Sequence, residues 1–168
     1  MSRPDVGAFH MLGNHKMKLH YRLIYKLMRL YWKVTKPITI GVRAIITNND
    51  NEVLLVKHTY THQWYLPGGG VNKGEHLLDA LNREMDEELG LKILYEPTLL
   101  GTYSNFYEGK SDYVSVFVID QYEITPNKNR EIEAWKMYDV DNLPKSISPG
   151  SHKRMQEYLG RKVKDYKW

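Results

Sequence analysis

Three glutamates with helical spacing are the residues of this sequence best suited to chemistry. Glu87 and Glu88 follow Glu84 by three and four positions, in a segment with helical periodicity. At about 100° per residue, this spacing places all three carboxylates in one sector of a helix. Clustered like charges destabilise a helix, whereas a hard divalent cation reverses that cost, and Mg²⁺ is typically held by a few carboxylates together with substrate phosphates. The spacing therefore predicts a site for Mg²⁺ or Mn²⁺ that includes all three glutamates.

The residues around these glutamates suit the same chemistry. Arg83 precedes Glu84, and its forked guanidinium can hold a nearby carboxylate in a fixed orientation. The glycine-rich turn Gly68-Gly69-Gly70 lets backbone N–H groups approach an anion such as a phosphate. An apolar stripe beside the glutamates is expected to hold the helix against a sheet, and it consists of Leu78, Leu81, Met85 and Leu89.

Hydrophobic periodicity predicts the elements that position these residues. The sequence indicates an α/β domain in which the helix His76–Leu89 ends at Gly90 and a last helix, Ser151–Leu159, is capped by Ser151. Alternating or short solid runs of β-formers predict strands on both sides of the first helix. These strands are Val42–Thr47, Val53–His58, Leu91–Tyr95, Leu99–Ser104, Tyr113–Ile119 and Glu133–Tyr138.

Length and composition favour one globular domain. The 168 residues are 42% hydrophobic and include no cysteine, which excludes a disulfide scaffold, a thiol nucleophile and a cysteine-ligated metal. The net charge of +4 conceals an uneven distribution: residues 37–150 carry ten basic and seventeen acidic side chains, whereas residues 16–36 carry seven basic side chains and no acidic one. The acidic middle and the basic ends therefore need separate explanations.

The glycine turn and the helix together resemble a known family motif. The segment from Gly69 to Leu91 reads GGVNKGEHLLDALNREMDEELGL. Its residues at fixed spacing are Gly69, Glu75, Arg83, Glu84, Glu87, Glu88 and Gly90. This resembles the Nudix box, GX5EX7REUXEEXGU with U a bulky aliphatic residue, at every specified position. The lead-in Trp64-Tyr65-Leu66-Pro67-Gly68-Gly69 and the later Glu131–Trp135 segment are also similar to the family. The implied fold is a Nudix-type α/β/α sandwich with a mixed β-sheet.

The resemblance also implies a reaction and a role for each matched residue. A metal-dependent pyrophosphohydrolase is expected, which cleaves a nucleoside diphosphate linked to another moiety, such as ADP-ribose, a nucleotide sugar or a (d)NTP. Glu84, Glu87 and Glu88 would ligate the metal, Arg83 would orient a glutamate, and Glu75 would support the loop. The general base would be either Glu84 or Glu131, with Glu108 as a further candidate. A catalytically silent nucleotide-binding module and an RNA-end pyrophosphohydrolase are the alternatives.

Other residues are weaker candidates for substrate contacts. Several residues lie on segments that could flank the predicted pocket and contact a nucleobase: Trp64 and Tyr103 as the leading candidates, then Tyr60, Asn105 and Tyr107. For each aromatic residue among them, core packing or plain surface exposure is the simpler interpretation. His58 and His62 could approach a phosphate, although a loop histidine without a role is the simpler interpretation.

Residues 1–36 are predicted to be a basic extension of a domain that spans residues 37–168. Within the extension, residues 17–34 have the pattern of an amphipathic helix. Three interpretations stay open: packing on the domain or on a second copy in a homodimer, contact with an anionic membrane surface, and contact with RNA phosphates. No secretory signal or membrane span is apparent, and a cytoplasmic location is the expectation.

Overall fold

The computed structural model describes residues 35–107, 110–125 and 131–168, and the predicted helix at 17–34 lies outside them. Eight strands and two helices occupy this part of the chain. In chain order they are β1 (Ile38–Ile46), β2 (Glu52–His58), β3 (Trp64–Tyr65), α1 (Leu77–Leu89), β4 (Leu91–Ile93), β5 (Thr98–Tyr107), β6 (Lys110–Ile119), β7 (Tyr122–Ile124), β8 (Ile132–Asp139) and α2 (Pro149–Tyr158).

The strands form a mixed arrangement, as predicted. Strand β1 pairs in parallel with β6, which pairs antiparallel with β5. A second three-stranded sheet has the order β3-β2-β8 and is antiparallel, and β4 pairs antiparallel with β7. Strands β3 and β7 were not predicted, because runs of two and three residues are too short to show a period.

The two helices cover opposite faces of the central strands. Val42, Ala44 and Ile46 on β1 pack in one buried cluster with α1, whereas Ile45, between them, packs in a second cluster with Met155 of α2. Successive side chains of a strand point to opposite faces, so this division is the expected consequence of the pleat. The result is an α/β/α sandwich, and the helices within the described residues are too short or too polar to cross a membrane.

Helix α1 agrees with its prediction at the C-terminus and differs in its first turn. Gly90 adopts the left-handed conformation, with φ of 62°, and its N–H donates to the carbonyl of Asp86. Leu81, Met85 and Leu89 are buried as expected. Leu78 is 37% exposed instead. The apolar stripe begins at Leu77, which is four positions before Leu81 and packs against the buried cluster between α1 and the sheet.

Helix α2 begins earlier than predicted. Ser148, rather than Ser151, is its N-cap, and the Ser148 hydroxyl accepts the Ser151 N–H at 3.2 Å. Pro149 then starts the helix, where its missing N–H costs nothing. The segment Ser148-Pro149-Gly150 therefore forms the beginning of α2. The Ser151 hydroxyl accepts the N–H of Leu66 at 3.0 Å, which joins α2 to the segment that leads into the glycine turn.

Candidate active site

The glycine turn is attached to β1 by backbone hydrogen bonds. The N–H of Val42 donates to the carbonyl of Gly69 at 2.9 Å, and the N–H of Val71 donates to the carbonyl of Ile40 at 2.8 Å. Gly68 has φ of 129°, and a Cβ there would lie 2.3 Å from the carbonyl oxygen of Val42. No L-residue fits this position without moving the strand, so the turn is fixed against the sheet.

Gly69 leaves room for the carboxylate of Glu84. A Cβ on Gly69 would lie 2.5 Å from the Glu84 carboxyl carbon, which shows that this carboxylate rests against the bare backbone of the turn. On the same turn, the Gly68 N–H donates to Oε2 of Glu88 at 2.8 Å, and Glu88 is buried. Two of the three predicted metal-binding glutamates therefore contact the glycine turn directly.

Arg83 links the carboxylates of this site. Its Nε and Nη2 donate to the two oxygens of Glu75 at 2.8 and 3.0 Å, and Nη2 also donates to the carbonyl of Gly70 at 2.9 Å. Its Nη1 lies 2.6 Å from Oε1 of Glu84 and 3.3 Å from Oε2 of Glu87. The forked geometry of the guanidinium allows one side chain to hold three carboxylates and the glycine turn together.

These contacts and burial shift the pKa values of two carboxyl groups in opposite directions. Hydrogen bonds from Arg83 and from the Asn72 N–H lower the pKa of Glu75 to about 2. Burial raises the pKa of Glu84, while the positive charges of Arg83 and Arg43 act in the opposite direction. Glu75 is therefore ionised at neutral pH and anchors Arg83, whereas burial makes the Glu84 carboxylate a stronger proton acceptor than an ordinary glutamate.

The donor set fits a hard divalent cation. Glu84 and Glu87 already converge on one positively charged nitrogen of Arg83, and the side chain of Glu87 is 58% exposed. Among the described residues, no group of three or more acidic or histidine side chains is gathered around a single point, and two of the three glutamates are paired with Arg83. Oxygen ligands of this kind are those that Mg²⁺ and Mn²⁺ prefer.

Comparison with known proteins identifies the family. The NUDIX domain profile matches residues 37–158, which is most of the chain. This chain belongs to the Nudix family. An RNA pyrophosphohydrolase of Pelagibacter ubique is 32% identical over 130 residues, which cover 66% of this chain and 82% of that protein. The resemblance drawn from the motif is thereby confirmed, and the protein is a hydrolase.

Solved Nudix structures share the fold. A MutT NUDIX hydrolase from Burkholderia pseudomallei superposes with a TM-score of 0.62 at 26% identity, covering 71% of this chain and 96% of that one. A MutT protein from Methanosarcina mazei superposes with a TM-score of 0.63 at 25% identity, covering 75% and 95%. These coverages show that the Nudix domain occupies about three quarters of the chain.

The two further glutamates proposed as the base of the Nudix reaction lie outside α1. The carbonyl of Glu131 accepts the N–H of Thr59 at 2.9 Å, so this residue lies beside the end of β2, and its side chain is exposed. Glu108 lies outside the described residues. Of the three candidate bases, Glu84 is therefore the one that the structure shows in contact with the glycine turn.

Two of the five residues predicted to flank the pocket, Tyr103 and Trp64, lie in or against the core instead. Tyr103 is fully buried beneath the guanidinium of Arg154, and Trp64 packs edge-on against Tyr138. Asn105 is half-buried, and the Tyr107 side chain lies outside the described part. Tyr60 is exposed and stacks on His58, which is buried, whereas His62 is exposed.

An exposed apolar sheet face beside the glycine turn was missed. Ile38, Ile40, Phe106 and Tyr113 form this face, and Phe106 is 70% exposed. Ile40 pairs in register with Tyr113, and the Tyr113 ring meets the Phe106 ring edge-on at 6.3 Å. Strand alternation could have revealed this face. Tyr103 and Phe106 are an odd number of positions apart, so their side chains must lie on opposite sides of β5.

Arg43 was also missed. It lies within β1, its guanidinium Nη1 is buried, and this nitrogen has no hydrogen-bond partner among the described protein atoms. An arginine between Val42 and Ala44, both buried, is an unusual residue for a strand interior, and this context was the available indication. Its charge also acts on the Glu84 carboxyl, which places it near the site.

Proposed function

We propose that this protein is a metal-dependent pyrophosphohydrolase that cleaves a nucleoside diphosphate linked to another moiety. The observation that carries the proposal is the convergence of Glu84 and Glu87 on Arg83, next to Glu88 on the Gly68 amide. Three carboxylates held beside a glycine turn suit the binding of a divalent cation together with the diphosphate of a substrate. ADP-ribose, nucleotide sugars and (d)NTPs are the substrate classes of this type.

Glu84, Glu87 and Glu88 would hold Mg²⁺ or Mn²⁺. Once bound, such an ion neutralises diphosphate charge and lowers the pKa of a coordinated water. Arg83 would then keep Glu75 and the Gly70 carbonyl as its remaining partners, so the guanidinium stays anchored when it yields Glu84 and Glu87. Glu75 keeps the charge of Arg83 paired when Glu84 and Glu87 bind the metal instead, because its pKa of about 2 keeps Glu75 ionised.

The reaction is the hydrolysis of a phosphoric anhydride. A water oxygen forms a bond to one phosphorus, the bridging P–O bond breaks, and the electron pair of that bond leaves with the second phosphate. Glu84 is the proposed base that accepts a proton from the water, because its carboxylate rests against Gly69, on the turn that would receive the phosphates. Glu131 remains the alternative base.

The position of the nucleoside follows from the apolar sheet face. This face borders the glycine turn, since Ile40 accepts the N–H of Val71. A nucleobase on Phe106 and Tyr113 would have an aromatic partner while its phosphates reach the turn. Arg43, whose buried Nη1 has no hydrogen-bond partner among the described residues, is a proposed phosphate contact.

A second candidate is an RNA 5′-end as substrate. The Pelagibacter ubique relative, of which this chain covers 82%, is named an RNA pyrophosphohydrolase. An open apolar face is compatible with a terminal nucleotide of a longer strand, because nothing described on this side of the sheet closes over Phe106. The silent-module alternative is disfavoured by the intact carboxylate set.

A panel of substrates tests the proposal. ADP-ribose, UDP-sugars, (d)NTPs and a 5′-triphosphorylated RNA would be incubated with Mg²⁺ or Mn²⁺, and the products identified by mass spectrometry. Carrying out the reaction in ¹⁸O-water shows which phosphorus is attacked, because the label appears in only one product. Cleavage of any anhydride supports the proposal. A complete absence of products with both metals would favour the silent module instead.

A further inference from the structure

Residues 164–168 run alongside β5 and are called the strap here. Ser104 forms a parallel bridge with Lys167; its N–H donates to the carbonyl of Tyr166 at 2.9 Å, and its carbonyl accepts the N–H of Trp168 at 3.0 Å. From α2, the ammonium of Lys153 donates to the Lys167 carbonyl at 2.9 Å and pairs with Asp165 at 2.6 Å. The strap is therefore bonded to both β5 and α2.

Trp168 occupies a notch that exists because residue 150 is glycine. A Cβ on Gly150 would lie 2.6 Å from the indole nitrogen of Trp168. Gly150 belongs to the first turn of α2, where a glycine has no conformational advantage over alanine. The close approach of the Trp168 indole explains why position 150 is occupied by glycine.

Trp168 also packs near a fully buried charge. The guanidinium of Arg154 is fully buried; it lies 3.7 Å from the centre of the Tyr103 ring and 5.8 Å from that of Trp168. Arg154 pairs with Glu157 at 3.0 Å. A buried guanidinium between two aromatic rings fixes α2 to β5 on one side and to the strap on the other.

The first turn of α2 is hydrogen-bonded to the segment that leads into the glycine turn. The Ser148 hydroxyl donates to the Ser151 hydroxyl at 2.8 Å, and the Ser151 hydroxyl accepts the N–H of Leu66 at 3.0 Å. Leu66 is two residues before Gly68, whose N–H holds Glu88. A continuous series of contacts thus leads from Trp168 through Gly150 and Ser151 to Glu88.

We propose that Trp168 is a positioning residue for the hydrolytic site, which sets the Gly68 amide and hence the orientation of Glu88 by fixing the first turn of α2. The indole touches no carboxylate of the site and acts only through the α2 turn. The catalytic consequence rests on the proposed function, in which Glu88 takes part in hydrolysis, whereas the mechanical link does not depend on it.

The mechanical link is tested by NMR on the full chain. In Trp168→Ala, the Gly68 amide proton is expected to shift upfield and its hydrogen-exchange protection to fall by about tenfold, since its hydrogen bond to Glu88 loosens. Trp168→Phe should restore most of both values. Val163→Ala is the matched control, because Val163 is 91% exposed and next to the strap.

A second variant reaches the same link without removing the indole. Gly150→Ala places a methyl group where the indole lies, and it should move the Gly68 amide resonance in the same direction as Trp168→Ala. This variant decides the question if Trp168→Ala does not fold. An unchanged Gly68 amide in folded Gly150→Ala and Trp168→Ala proteins would overturn the proposal.

Kinetics separate the two proposals. With a substrate that the wild-type protein cleaves, Trp168→Ala should lower kcat by about tenfold and leave KM nearly unchanged, because the nucleoside site on β1, β5 and β6 is not altered. A change of KM alone would contradict the positioning role. If no substrate is cleaved by the wild type, the proposed function fails, while the Gly68 amide still reports whether Trp168 positions the turn.

Discussion

Two arginines on the two helices of this domain show opposite uses of a guanidinium. Arg83 on α1 is partly exposed and makes hydrogen bonds through all three of its nitrogens. Arg154 on α2 is fully buried, and its Nε and Nη1 have no hydrogen-bond partner among the described protein atoms. The first arginine organises carboxylates at the surface, and the second is held by aromatic rings in the interior.

The difference follows from what each position must do. Partners of Arg83 can be exchanged at low cost, because solvent reaches the site and Glu75 keeps the guanidinium anchored. Arg154 cannot leave Glu157 without an uncompensated charge in the interior. A reactive site thus uses a charge that can change partners, and a structural contact uses a charge that cannot.

The largest effect is expected for Glu88→Gln. The amide oxygen of glutamine can still accept the Gly68 N–H, so folding should be retained although Glu88 is buried. Turnover should fall by about 10³-fold, or about 4 kcal/mol, because the proposed metal site loses one anionic ligand. Steady-state kinetics measure this, with Asp86→Asn on the same turn as the control. Wild-type activity in Glu88→Gln would remove Glu88 from the metal site.

Removing the buried charge should affect stability instead of chemistry. Arg154→Met should lower the free energy of unfolding by about 3 kcal/mol, because it leaves the Glu157 carboxylate unpaired in the interior. The double variant Arg154→Met/Glu157→Leu should recover most of that loss. Urea denaturation of the three proteins provides the measurement. Equal stability of the single and double variants would show that the pair is not coupled.

Arg83→Lys keeps the charge and removes the fork. A lysine cannot bridge Glu75, Glu84 and the Gly70 carbonyl together, so kcat should fall by about 10- to 100-fold. Arg161→Lys, at an exposed pair with Asp141, is the control and should show no change. If Arg83→Lys retained full activity, charge rather than geometry would be sufficient at this position.

The smallest effect concerns acid stability. The pKa of Glu75 falls from its ordinary value of 4.5 to about 2 in the folded protein. Ionised Glu75 therefore stabilises the fold above about pH 4.5, and this contribution is lost as the pH falls from 4.5 toward 2. After allowance for solvent screening, it amounts to about 1–2 kcal/mol. Glu75→Gln should flatten the pH dependence of the melting temperature in that window, and an unchanged slope would contradict the assignment.

Local spacing predicted the parts of this molecule that interact along one helix. The three glutamates, Arg83 and the Gly90 cap follow from positions three to eight apart, and the structure places Arg83 among the carboxylates as expected. The apolar sheet face could not be read in this way, because Ile40 and Tyr113 are 73 positions apart and meet only through strand pairing. Tyr103 shows the same limit, since its burial depends on Arg154 and Trp168.

The attachment of the glycine turn to β1 has a consequence for how this enzyme can diversify. Backbone hydrogen bonds from Val42 and Val71 hold the turn, and backbone bonds are largely insensitive to side-chain replacement. Phe106 and Tyr113, on the neighbouring strands, project from the same scaffold without supporting the turn. If these two rings contact the nucleobase as proposed, random libraries at both positions should alter nucleobase preference and leave the carboxylate site unchanged, which makes the domain a good starting point for directed evolution.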